Sequence, residues 1–140
     1  MELSEKFTLK WNDFVENVAE SFANLRNEED FFDVTLVSED LQQLTAHKVV
    51  LSSCSPVLKY LLKSSSHPHP VLFLKGARFR DLEYIVDFIY SGQVDIPQEH
   101  LNDFLQLAQD LKLKGISTEN RDLKREQNDR NIFVSEDEDI

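Results

Sequence analysis

Apolar residues along this chain fall into short stretches whose spacing switches between two periods. Phe7-Thr8-Leu9-Lys10 alternates apolar and polar positions, the period-two signature of a strand. Apolar positions then fall at Phe14, Val15, Val18, Ala19, Phe22 and Leu25, a single stripe at helical spacing, with Trp11 at the junction and Asn12 placed to cap the helix. Such a stripe must be covered, by the rest of this chain or by another surface. After a charged break at residues 26–30, Asp33-Val34-Thr35-Leu36-Val37-Ser38 reads as a strand. Residues 42–46 return beside it through a turn at Glu39 and Asp40, which predicts a hairpin.

Two short helices are predicted next, over residues 47–51 and 56–62, with Ser55 before Pro56 giving a cap-then-proline start. The run Ser64-Ser65-Ser66-His67-Pro68-His69-Pro70 is punctuation, read as an exposed loop, and Val71-Leu72-Phe73-Leu74 as a buried strand. Helical spacing resumes at Phe79, Leu82, Ile85, Val86 and Ile89 and stops at Ser91-Gly92. Tyr84, Phe88 and Tyr90 widen that helix's apolar pattern beyond one stripe, so it is either central in the core or docks to another element. Val94-Asp95-Ile96 is a short extended piece. A last helix spans residues 98–110 with Leu101, Phe104, Leu105 and Ala108 on one face, and Gly115 closes the segment after it. The pattern is α+β, one domain over residues 1–117. From Thr118 onward apolar residues are sparse, and residues 118–140 are expected to be an acidic flexible tail, because too little burial offsets the cost of ordering them.

Composition narrows the function classes. The 140 residues carry 15 Lys+Arg against 26 Asp+Glu, a formal charge of −11. Residues 118–140 hold 4 basic and 8 acidic residues, so the body is itself at 11 − 18 = −7. A chain this acidic lacks the basic footprint that gripping DNA or an anionic membrane requires. Pure apolar runs reach only four residues, as at 71–74, against the roughly 20 that span a bilayer. One cysteine, Cys54, rules out an internal disulfide, and with no apolar leader at the N terminus the expected home is intracellular.

Candidate chemistry is thin. His47 and Cys54 stand seven residues apart, which is no recognised metal spacing. As a thiolate and imidazole pair they lack a glycine-rich nucleophile turn, and a buried structural cysteine is the simpler reading. His67 and His69 alternate in the proline loop, but no third ligand stands near them. With no residue set for catalysis, neither enzyme activity nor a cofactor or metal is expected. Asp33 and Lys48 are charges in otherwise apolar surroundings that must face solvent or find partners; spacing alone reads both as solvent-facing.

The segments Phe7-Thr8-Leu9-Lys10-Trp11-Asn12-Asp13-Phe14, Phe32-Asp33-Val34-Thr35-Leu36, Ala46-His47-Lys48-Val49-Val50-Leu51-Ser52-Ser53-Cys54-Ser55-Pro56, Phe88-Ile89-Tyr90-Ser91-Gly92-Gln93-Val94 and Lys112-Leu113-Lys114-Gly115-Ile116 occur in this order. Together they resemble a BTB/POZ domain, and more narrowly the Tramtrack group of insect transcription and chromatin regulators. The resemblance covers about residues 7–117. It implies helices packed around a small sheet, with N-terminal strand-exchanged dimerisation. On that basis Phe7, Leu9, Trp11, Phe14, Val15, Val18, Phe22 and Leu25 are the expected dimer or multimer interface, and Asp33 and Lys48 a possible partner groove, while His47 and residues 52–56 support the fold. Ser53 and Val57 depart from the alanine and the bulkier residue common in relatives, changes of packing only.

The implied function is a protein–protein interaction module. It would homo-multimerise, and with related chains hetero-multimerise, a nuclear transcription or chromatin regulator and recruit corepressor or architectural proteins, without touching nucleic acid or membrane. Related BTB proteins are possible partners, and an assembly larger than a dimer is expected. The alternative is a substrate adaptor for a cullin-based ubiquitin ligase, with residues 51–62 and 79–90 as the cullin surface. Against it, residues 118–140 lack a helical apolar stripe. Ser64, Ser65, Ser66 and Ser135 are candidate phosphorylation positions, each adding about −1.5 to −2 charges.

Overall fold

The computed structural model describes residues 4–116; the tail expected over residues 118–140 lies outside the described residues. The element order is α1 (Phe14–Leu25), β1 (Val34–Val37), β2 (Gln43–Ala46), α2 (Lys48–Cys54), α3 (Pro56–Lys63), β3 (Val71–Phe73), α4 (Phe79–Ser91) and α5 (Gln98–Asp110), with a 3-10 turn at Glu29–Phe31. The α+β expectation holds.

The predicted hairpin is present: β1 and β2 pair antiparallel, with Val34 opposite Ala46 and Leu36 opposite Leu44. Ser38 closes its turn, its Oγ accepting the Gln42 N–H at 3.1 Å. β3 lies parallel to β1 on the other side, Leu36 opposite Leu72, so the sheet order is β2-β1-β3. Period two then sorts the side chains. Val34, Leu36, Leu44 and Ala46 point into the core with Val50 and Leu51 of α2, Leu58 and Leu62 of α3, Leu82, Ile85 and Val86 of α4, and Phe104 and Leu105 of α5. The opposite face carries Thr35, Val37, Val71 and Phe73.

That placement corrects the reading of residues 71–74 as a buried strand. β3 is an edge strand, with Val71 63% and Phe73 54% exposed and Leu72 turned inward. An apolar run of this length does not distinguish a central strand from an edge strand. The serine and proline loop before β3 is also less free than expected. His69 is half-buried, its Nε2 sharing a hydrogen bond of 2.8 Å with Thr35 Oγ1, and its N–H donates to His67 Nδ1 at 2.9 Å.

α4 answers the ambiguity of its wide apolar pattern, since it packs against α1, α2 and α5. Phe88 meets Phe104 of α5 edge-on at 6.1 Å, Tyr84 bonds His100 at 3.0 Å, and Tyr90 is buried against α2. Gly92 ends the helix at φ 82°, a left-handed conformation that favours glycine, its N–H donating to Phe88 O. At the other end of the chain, α1 is not capped by Asn12. Asp13 holds the cap position at φ 61°, and its carbonyl accepts both the main-chain and the Nδ2 hydrogens of Asn17 at 2.9 Å.

Candidate functional site

Two surfaces carry the residues singled out from sequence. The first is the N-terminal segment with α1. Phe7 and Leu9 are 80% and 91% exposed, and residues 7–10 form no strand within the single chain. Trp11 and Phe14 touch edge-on, ring centres 5.0 Å apart, yet both remain largely exposed, as do Val15 and Phe22. Only Val18, Ala23 and Leu25 are half-buried in the helix, so the stripe is covered toward its C-terminal end and open toward its N-terminal end. Arg26, just past the helix, anchors it to α4 through an ion pair with Asp87 at 3.3 Å and by lying over the Tyr90 ring at 5.8 Å. Residues 94–96, read as extended from sequence, likewise belong to no strand of this chain.

The second surface surrounds Asp33 and Lys48, which the fold brings together, though not as an ion pair. Asp33 Oδ1 accepts the Lys48 main-chain N–H at 2.7 Å, so the carboxylate supplies the start of α2 with an acceptor. Both residues are half-buried, which corrects the solvent-facing reading taken from spacing. They line an open pocket of about 410 Å³ with Val49, Ser52, Lys59, Leu62 and Lys63. Lys59 and Lys63 escaped sequence reasoning, because nothing local says that their exposed positions on α3 stand beside the first turns of α2.

The residues beneath these surfaces are structural. His47 donates its main-chain N–H to Tyr90 Oη at 2.9 Å and shares a second hydrogen bond of 2.6 Å between its Nδ1 and the same hydroxyl; Phe32 packs on its ring. Burial pushes the Tyr90 hydroxyl's pKa above the usual 10, opposed by the His47 N–H and the Arg26 charge. A hydroxyl that stays protonated longer in the folded state contributes stability below pH about 10, lost as pH rises through the raised value. Urea titrations above pH 10 should therefore show stability falling with pH, with a shallower fall in Tyr90→Phe.

Ser55, fully buried, ties two elements together: its Oγ accepts the Leu58 N–H at 3.0 Å, capping α3, and donates to Leu111 O at 2.7 Å just beyond α5. Ser55→Ala removes the cap and strands a buried carbonyl. The expected loss is about 1–3 kcal/mol in urea unfolding at fixed protein concentration. Burial, partly offset by Lys114, raises the Cys54 thiol pKa, the wrong direction for a thiolate nucleophile. Among the described residues no group of three or more His, Cys, Asp or Glu is placed to hold a metal ion.

A small sheet under paired helices is the frame that the family comparison matches. The BTB/POZ domain model covers residues 22–128. Over 126 residues the chain is 44% identical to the Drosophila melanogaster protein "Longitudinals lacking protein-like", spanning 90% of this chain and 98% of that one. The chain belongs to the BTB/POZ family. Other Drosophila relatives of this BTB/POZ chain are "Protein abrupt", 44% identical over 83% of the chain, and "Protein tramtrack, alpha isoform", 41% over 85%; the chain spans only 13% and 14% of their lengths. The BTB domain of zebrafish PATZ1 superposes with a TM-score of 0.66 at 19% identity, covering 78% of this chain and 89% of that one. The BTB domain of human Gigaxonin does so at 0.65 and 21%, over the same shares. These two likenesses show the fold. As a BTB/POZ domain the chain is a protein-interaction module. Among the described residues no helix is long and apolar enough to cross a membrane.

Proposed function

We propose that this BTB/POZ domain multimerises a nuclear transcription or chromatin regulator, joining like or related chains and corepressor or architectural partners without touching nucleic acid. The observation that carries the reading is the open N-terminal segment: Phe7, Leu9, Trp11, Phe14, Val15 and Phe22 are exposed together within sixteen residues, whereas the other exposed large apolar residues, such as Phe31, Leu41, Tyr60 and Val71, are spread over separate elements. Apolar surface gathered on one segment is the mark of an interface.

In this reading α1 meets its counterpart across a twofold axis, Val18 and Leu25 joining the seam where it runs into the core. Residues 7–10 cross to the partner as an exchanged strand. A fitting acceptor is Val94-Asp95-Ile96, which has the same alternation and no strand partner among the described residues. Exchange would satisfy main-chain edges and cover apolar side chains in one step. The Asp33 and Lys48 pocket is the candidate partner groove. Function then follows from raised local concentration of whatever the chains carry.

Multi-angle light scattering of the intact chain at micromolar concentration tests the reading. A mass of two subunits or more is expected, and a compact monomer would overturn it. Stoichiometric retention of purified cullin would favour the ligase-adaptor alternative instead.

A further inference from the structure

The pocket between α2 and α3 concentrates positive charge on an acidic protein. Of its lining residues Lys48, Lys59 and Lys63 are cationic, and none of the three ammonium groups pairs with a carboxylate among the described residues. The one acid in the lining, Asp33, has an oxygen engaged by the Lys48 N–H. Val49, largely exposed, and Leu62 add an apolar wall. A ligand that matches this lining carries several carboxylates next to an apolar side chain.

The sequence holds one segment of that composition outside the described residues: Phe133-Val134-Ser135-Glu136-Asp137-Glu138-Asp139-Ile140. We propose that residues 133–140 of this chain dock in the pocket, the acids against Lys48, Lys59 and Lys63 and Phe133 or Val134 against Val49. Three observations favour the chain's own segment over a separate acidic protein. The described chain ends beside the pocket's own helix, since the Lys114 N–H donates to Cys54 O at 2.9 Å, at the C-terminal end of the α2 whose first turns line the pocket. Nineteen residues separate Ile116 from Glu136, and at about 3.3 Å each they reach past any point of a domain this size. Residues 1–117 are at −7, so a free acidic ligand is repelled at long range, whereas a tethered one is held at high effective concentration and needs only weak contacts. The consequence is self-occupancy: the groove opens to an external acidic partner only when the segment is displaced, and a phosphate on Ser135 would tighten the block. Every pocket residue comes from one chain, so the proposal does not depend on strand exchange.

The test compares the full chain with full-length Glu136→Gln/Asp137→Asn/Glu138→Gln/Asp139→Asn, using limited acetylation by acetic anhydride and peptide mass spectrometry. Lys48, Lys59 and Lys63 should react at least about threefold faster in the neutralised chain, with Lys75 and Lys112 unchanged as references. A labelled synthetic peptide of residues 133–140 should bind the neutralised chain, bind the unaltered chain at least about fivefold more weakly, and lose binding when Lys48→Gln/Lys59→Gln/Lys63→Gln is added. Equal acetylation, equal peptide affinity for both chains, or no peptide binding would each overturn the proposal. So would protection that disappears on dilution at constant light-scattering mass. That mass should be the same in both chains, which separates this test from that of self-association.

Discussion

Phe14→Asp/Phe22→Asp is expected to reduce the light-scattering mass to a single subunit at micromolar concentration while the far-ultraviolet helical signal persists. The reason is where these rings sit. In the single chain Phe14 is 52% and Phe22 38% exposed, and neither belongs to the buried core or to the partly buried shell around it. Charging them therefore leaves the set of Leu36, Leu51, Leu82 and Ile85 intact. In the proposed dimer, what they lose is burial against a sister subunit. Fully burying a phenylalanine is worth about 1.5–3 kcal/mol, so covering the remaining half of each ring is worth about 0.8–1.5 kcal/mol, and four rings across a twofold seam about 3–6 kcal/mol. At about 1.4 kcal/mol per tenfold, the dimer constant moves by two to four powers of ten before the cost of desolvating four carboxylates is added. A double variant that kept the parent mass and the parent helicity would remove α1 from the seam. Loss of helicity at every concentration would instead mean that the subunit does not stand without its partner, a condition met by many obligate dimers.

How much of this was legible beforehand divides along sequence separation. The hairpin, the Ser55-Pro56 start of α3, the end of α4 at Gly92 and the stripes of α1 and α5 follow from local period and local capping, and each stands where the spacing puts it. Apart from the start of α1, where Asp13 and not Asn12 holds the cap position, the differences all turn on which distant element lies alongside. The apolar run at residues 71–74 reads as a buried strand because such a run does not say whether it joins the centre or the edge of a sheet. His69 reads as exposed from its loop because its partner, Thr35, is 34 residues away. Asp33 reads as solvent-facing from spacing because the N–H it accepts is 15 residues on. The contacts that tie the helices, His47 to Tyr90 over 43 residues and Ser55 to Leu111 over 56, are invisible to any window of helical or strand length. The lysine pocket has the same origin, since Lys59 and Lys63 gain meaning only once α3 folds back along α2.

Phe7→Ser/Leu9→Ser/Trp11→Ser is expected to act differently from the α1 double variant: the dimer survives and larger assemblies disappear. These three side chains precede α1, and their only ring contact among the described residues is Trp11 on Phe14. Leu9, at 91% exposed, gains almost nothing from its own chain. Period two puts Phe7 and Leu9 on one face of a would-be strand with Trp11 next in line, so serine at all three preserves the main-chain hydrogen-bonding capacity and removes the apolar face. Main-chain exchange without side-chain burial is marginal in water, as isolated two-stranded pairings are. Burying three large side chains is worth about 1.5–3 kcal/mol each, so the assembly constant should weaken by at least three powers of ten per arm. Scattering mass measured across a dilution series separates the outcomes. A fall to two subunits with unchanged thermal melting assigns the arm to higher assembly, a fall to one subunit assigns it to the dimer itself, and an unchanged mass across the series refutes any role for it in association.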